Sequence, residues 1–226
     1  MHSTSPHAFF LLEEFAHQEI FHKIEHVWDA IKNIPTYLSN RELGIIESEI
    51  PEGVYLHDAH LISIGKNCKI EPGAFIQGPC IIGDDSEIRQ GAYIRGNVVT
   101  GRKCIIGHGT EIKNSLLLNS AKAPHFNYVG DSILGFDTNL GAGVICSNLR
   151  LDHQNISLSI HGRIFPTYMK KLGLILGDQS QIGCNTVSNP GTLIGKEVLC
   201  FPCINIGGWI PEKSIIKGQK FSVEVR

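Results

Sequence analysis

Starting at Ile64 and stepping by six, the chain presents Ile64, Ile70, Ile76, Ile82, Ile88, Ile94, Thr100, Ile106, Ile112 and Leu118. Nine of these ten positions are aliphatic. The residues four further on are Cys68, Ala74, Cys80, Ser86, Ala92, Val98, Cys104 and Thr110, all small or β-branched. One bulky and one small inward residue per hexad is the signature of a β-helix. Each hexad makes one short flat side, and three sides close a triangular coil of 18 residues. Successive coils then stack at the strand spacing, about 4.8 Å.

The beat restarts at Leu134, Leu140 and Cys146, is lost from Asn148 to Gly173, and returns at Leu176, Ile182, Ser188, Ile194, Cys200 and Ile206. The phase change across Asn119–Asn127 equals four extra residues, which predicts a loop pushed out of the coil at 119–127. The stretch 148–173 predicts a second, longer excursion. Long loops on a regular scaffold are where function tends to sit. Ahead of the repeat, Ile20, Phe21, Ile24, Val27, Trp28, Ile31 and Ile34 follow helical spacing. One or two helices should end near Pro35, with His22 and His26 on one solvated or interfacial helix face. The chain thus divides into a helical segment and linker at 1–50, a β-helix at 51–218 and a polar tail at 219–226 that would cover the last coil. The fold class is mainly β.

Composition narrows the function. Hydrophobic residues are 42% of 226, enough for a real core. A net charge of −2 argues against a nucleic-acid surface. No apolar run reaches the roughly 18 residues of a membrane span, and Glu13, Glu14 and Glu19 break the pattern of a signal peptide. These features predict a soluble cytoplasmic protein. Seven cysteines, an odd number, fit reduced thiols. Cys200 and Cys203 form a lone CxxC with no second ligand pair for zinc, so no metal site is expected. The cysteines on the beat are explained as small core residues.

Arg95 follows Ile94 and Lys113 follows Ile112, 18 residues apart. They should stand on neighbouring coils about 5 Å apart on one outer face. Like charges in that position are unfavourable. Either an anion such as phosphate lies between them, or they splay into solvent. His125, in the segment expected to loop out, is a general-base candidate close to that column, or else a structural loop histidine. The Gly141-Ala142-Gly143 run allows close approach of a ligand or simply tight corners.

The segment KAPHFNYVGDSILGFDTNLGAGVICSN, Lys122 to Asn148, contains H-x-x-Y-x-G-D followed by N-x-G-A-G. It resembles the acetyltransferase half of the bacterial bifunctional N-acetylglucosamine-1-phosphate uridyltransferase, and more closely the β-helix half of archaeal-type sugar-1-phosphate nucleotidylyltransferases. Ser147–Asp152 and the basic Lys170–Gly173 fit that pattern, and the similarity spans about 64–218. The resemblance implies a left-handed parallel β-helix, a homotrimer with sites between subunits, acetyl-CoA as donor and an amino-sugar 1-phosphate as acceptor. It implies His125 as catalytic base; Arg95, Lys113, Tyr128, Asn139 and Asn148 as acceptor-binding residues; and Cys184 beside the donor. The family's G-x-G-T-R nucleotide loop has no counterpart here, so uridyl transfer is not expected of this chain. Leu149 stands where the bifunctional enzymes have Tyr. A different reading is a non-catalytic trimeric module assisting a separate nucleotidyltransferase. It predicts a buried or remote His125 and an exposed apolar patch on the Phe9–Tyr37 helices.

Overall fold

In a computed structural model describing residues 4–218, the chain is a left-handed parallel β-helix with an N-terminal layer packed on one side. Three eight-stranded parallel sheets form the walls. The seam face runs from Ile62–Ile64 to Trp209–Ile210. The third face runs from Lys69–Ile70 to Ile215–Ile216. The aromatic face runs from Tyr55–His57 to Asn205–Ile206. The chain visits seam, third and aromatic faces in that order in each coil. The inward positions fill one core, with Ile64, Ile70, Ile76, Ile82, Ile88, Ile94, Ile106 and Ile112 all buried. Thr100 is buried too, and its hydroxyl accepts from the Gly83 N–H at 3.0 Å.

The register explains the phase change, and differently from the sequence reading. Ile76 pairs with Ile94 and Ile94 with Ile112, a step of 18 residues. Leu117 pairs with Thr100 and with Leu134, and Tyr128 with Ile145, a step of 17. No loop is ejected at 119–127. Lys122–His125 is an ordinary strand of the third face, paired to Ile105–His108. Two successive corners between the aromatic and seam faces are each one residue short, at Asn114 and Asp131. Both use a left-handed residue where Gly96 and Asn97 used two (φ 45°, 50°, and 82° and 50°). Two deletions and four insertions are the same shift modulo six, so a six-residue count could not separate them. Leu118 consequently points outward, and Leu117 takes its place in the core.

The chain does leave the coil after Asn148. Ile133 pairs with Ile175, a step of 42. The excursion carries an antiparallel hairpin, Ser157–Ile160 against Arg163–Pro166.

The N-terminal layer contains two helices, α1 (Pro6–Phe9) and α2 (Asp29–Ser39), with a 3-10 turn at Gln18–Phe21 between them. Helix α2 runs through Pro35 rather than ending there. An interior proline costs about 3 kcal/mol. Burial of Ile31, Ile34 and Leu38, each contributing about 1.5–3 kcal/mol, outweighs it. His22 and His26 share no helix face: His22 ends the 3-10 turn, while His26 bonds Thr4 Oγ1 (2.7 Å) and stacks on Trp28. The layer covers the outside of the seam face. Phe9, Phe10, Trp28, Ile31 and Ile34 form one buried cluster with Val99, Leu116, Ile133, Ile175 and Leu193. Seam strands are therefore buried on both sides. Asp178, itself buried, fastens the layer: its carboxylate accepts from the Leu11 and Phe136 N–H groups, both at 2.7 Å. No helix among the described residues is long and apolar enough to cross a membrane. The tail expected at 219–226 lies outside the described residues.

Candidate functional site

The corner from the third to the aromatic face is a ridge of aligned residues. His108 and His125 are register partners on adjacent coils. Lys122 pairs with Asn139 and Leu140 with Ile182, which puts Ala142 and then Cys184 next in the same column. His125 and Cys184 are thus two coils apart, about 10 Å. His125 is exposed, beside the exposed Phe126. Its backbone is held firmly: its N–H donates to Asn127 Oδ1 (3.2 Å), and its carbonyl accepts from Gly143 N–H (3.0 Å). Asn127 is buried and donates to the Gly141 carbonyl at 2.8 Å. The Gly141-Ala142-Gly143 run therefore serves as a tight corner under His125. Gly143 has φ +74°, and a Cβ there would lie 2.2 Å from Asn185 Oδ1. Asn139 is half-buried on the adjoining strand of the third face.

Arg95, Lys113 and Asn148 sit at the opposite edge of the aromatic face, while Tyr128 opens its strand three residues from His125. Lys113 pairs in register with Gly130, five residues along the coil from His125, a path of about 16 Å at about 3.3 Å per residue. Within one chain, His125 and the Arg95/Lys113 column do not converge. Nor does that column need an anion to hold it together. Arg95 Nη1 bonds Glu111 Oε1 at 2.6 Å, and Lys113 Nζ bonds Asp131 Oδ2 at 2.8 Å. Each cation has its own carboxylate, Glu111 on the coil of Lys113 and Asp131 on the coil beyond it, a pairing the 18-residue spacing could not reveal.

Asp131 is the residue that sequence reasoning missed. Its buried carboxylate also accepts from Asn114 Nδ2 (2.8 Å) and, at short range, from Asn148 Nδ2. Asn148 in turn donates to the Tyr128 hydroxyl at 3.2 Å. Lys113, Tyr128 and Asn148 thus belong to one polar network at the neck of the excursion. The available signal was the column of short polar residues Asn97, Asn114 and Asp131 at corner positions.

A cavity of about 520 Å³ lies elsewhere, between the N-terminal layer and the seam-to-third corner. Its prominent polar groups are already engaged: His17 Nδ1 with the Tyr37 hydroxyl (2.8 Å), Arg41 with Glu19, and Arg102 with Glu14. Burial, reinforced by the Arg41 charge, lowers His17 to about 4, so its ring is neutral at pH 7. The candidate site is placed at the ridge instead, where an exposed imidazole stands over the Gly141–Gly143 corner.

A coiled β-helix with one bulky aliphatic per side is a hexapeptide-repeat architecture. Known proteins sharpen that class. The family profile of the GMPPB C-terminal domain matches residues 76–164. YaiX of Escherichia coli K12, an uncharacterized protein that bears the name of an acetyltransferase, is 32% identical over 196 residues. That match covers 83% of this chain and 85% of YaiX. A bifunctional sugar-1-phosphate nucleotidylyltransferase/acetyltransferase of Sulfurisphaera tokodaii is 32% identical over 113 residues, 50% of this chain and 27% of that protein. Among solved structures, LpxA of Bacteroides fragilis, a UDP-N-acetylglucosamine acyltransferase, aligns over 74% of this chain and 70% of its own, with 16% identity and a TM-score of 0.43. The chain belongs to the hexapeptide-repeat acetyltransferase family. It spans about a quarter of the length of the Sulfurisphaera relative it matches.

Proposed function

We propose that this chain is an N-acetyltransferase that moves an acetyl group from acetyl-CoA to the amine of an amino-sugar 1-phosphate such as glucosamine 1-phosphate, in the cytoplasm. The observation that carries the reading is the exposed His125 on a ridge of close-packed corners, aligned with Cys184, with Asn139 on the next coil three residues before the ridge. The neutral amine attacks the thioester carbonyl, and the C–N bond forms. His125 takes the amine proton. The C–S bond then breaks, and the CoA sulfur leaves with that proton. Cys184, Ala142 and the neighbouring backbone flank the donor; Asn139 and Tyr128 flank the acceptor.

The separation of His125 from Arg95 and Lys113 within one chain supports a homotrimer. There the aromatic face of one copy meets the ridge of the next, and Arg95 and Lys113 reach the acceptor phosphate across the boundary. Two observations favour catalysis over a purely structural module: His125 is exposed, and the apolar side of the N-terminal helices is covered by this chain's own seam face. One observation favours the module: Lys113, Tyr128 and Asn148 are already held by Asp131 or its partners. The deciding assay is thiol release from acetyl-CoA with glucosamine 1-phosphate. Turnover that falls by about 10²-fold or more in His125→Ala is expected, given the usual contribution of a general base. No turnover by the wild type, or full turnover by the variant, rejects the catalytic reading.

A further inference from the structure

The seven cysteines fall into two groups. Cys68, Cys80, Cys104, Cys146 and Cys200 are buried. Burial raises all five thiols, to about 12 for Cys80, Cys104 and Cys146, and a protonated buried thiol is a poor nucleophile. Cys184 and Cys203 are exposed. Both lie on the ridge, on adjacent coils, because Ile182 pairs with Cys200. The Cys203 N–H donates to the Cys184 carbonyl at 2.9 Å. Cys184 is level with Pro202, so Cys203 lies one strand spacing and one residue away, a Cα separation of about 6 Å, within the range of about 4.4–6.8 Å that a disulfide spans. The CxxC partner is excluded by the coil wall: Cys200 faces the interior at 7% exposure, while Cys203 stands outside in a left-handed corner conformation (φ 59°).

We propose that Cys184 and Cys203 form a reversible disulfide within the chain, with a peroxide as oxidant. One thiolate attacks a peroxide oxygen. The O–O bond breaks, and the departing oxygen leaves as water, giving a sulfenic acid. The second thiolate attacks that sulfur. The S–S bond forms, the S–O bond breaks and a second water leaves. The two thiols together lose two electrons, which the peroxide gains. The bridge crosses the ridge two coils from His125. A donor lying along that column would meet it, and this consequence alone rests on the acetyl-CoA reading above.

The test uses the full, reduced, native chain. Ellman's reagent should titrate the two exposed thiols rapidly and the five buried ones only on denaturation. After hydrogen peroxide treatment the intact mass should fall by two hydrogens, and peptide mapping should find Cys184 linked to Cys203. Dithiothreitol should reverse both. Cys184→Ser and Cys203→Ser should each abolish the mass loss. Its persistence in either variant, stable sulfinic acid in place of the cross-link, or a disulfide between chains on a non-reducing gel overturns the proposal. In a separate arm, oxidation should weaken acetyl-CoA binding about tenfold, or about 1.4 kcal/mol, in the wild type but not in Cys203→Ser. Unchanged affinity after oxidation overturns the ridge consequence. Absence of acetyl-CoA binding by the reduced wild type counts instead against the functional reading, and the cross-link result stands apart from it.

Discussion

Replacing Asp131 with alanine removes the acceptor on which the neck of the excursion converges. The Asp131 side chain is 6% exposed, and that of its partner Lys113 is 16% exposed. Alanine would leave the Lys113 ammonium largely buried without a counter-charge and would strip the Asn114 and Asn148 amides of an acceptor. Breaking a buried ion pair from one side costs about 3–5 kcal/mol. Each stranded amide adds about 1 kcal/mol or more, while the residual access of Lys113 to water subtracts from the total. A loss of about 3–5 kcal/mol follows. The damage should also be local. Asp131 and Asn148 carbonyls accept from the Gly173 and Leu172 N–H groups, at 2.8 and 3.0 Å, where the excursion re-enters the coil. Urea unfolding should show a lowered midpoint with little change in slope, and limited proteolysis should cut faster within 148–173. Replacing both charges, as Lys113→Met with Asp131→Asn, should recover most of the loss, because no buried charge is left unpaired and asparagine tolerates the left-handed φ of 50° while keeping an amide oxygen as acceptor. A loss below about 1 kcal/mol with unchanged proteolysis, or a double variant no better than Asp131→Ala, would refute the view that this network is a buried latch.

Other expectations can be checked alongside. His17 is lowered to about 4 in the folded chain from 6.5, so its contribution is complete above about pH 6.5 and is lost as pH falls toward 4. The limit is about 3 kcal/mol, read as the change in urea midpoint between pH 7.5 and 4.5, and His17→Phe should flatten that slope. Asp178, whose carboxyl burial raises, acts in the opposite sense, losing stability as pH rises; comparing the same slope in Asp178→Asn separates the two. Gly107→Ala would place a Cβ 1.6 Å from the Pro124 carbonyl oxygen, a backbone clash that only a displaced coil can relieve. It should cost about 3 kcal/mol or more and lower the melting temperature markedly. Leu116→Ala, in the buried seam, should cost about 2–5 kcal/mol by denaturation; a loss under about 0.5 kcal/mol would mean that the N-terminal layer is not seated there.

The β-helix was legible because its constraint is local and repeated. Every coil must present the same kind of side chain to the same interior, so Ile64 through Ile112 announce it with no knowledge of the rest. The excursion at 148–173 was legible for the complementary reason, since the beat stops there. The seam face was legible in principle. Triplets such as Val98-Val99-Thr100 and Leu174-Ile175-Leu176 are buried on both sides, and uninterrupted apolar strands signal cover on both faces. Of the residues at helical spacing from Ile20 to Ile34, only Ile31 and Ile34 lie in α2; Ile20, Phe21, Val27 and Trp28 are buried from a 3-10 turn and irregular chain, and the outer seam column they pack on went unmatched.

Residue identities and their period were enough to establish the coil, its interior and the equivalence of Arg95 with Lys113 on neighbouring turns. They could not locate the two shortened corners, because a period repeats modulo six and cannot count whole coils. Nor could they assign partners. Whether Lys113 faces a phosphate or Asp131, and whether Cys203 faces Cys200 or Cys184, depends on which coil lies alongside and which side of the wall a residue occupies. Those neighbours come from residues 17 to 19 positions away in the chain, and only the stacked coils bring them within bonding distance.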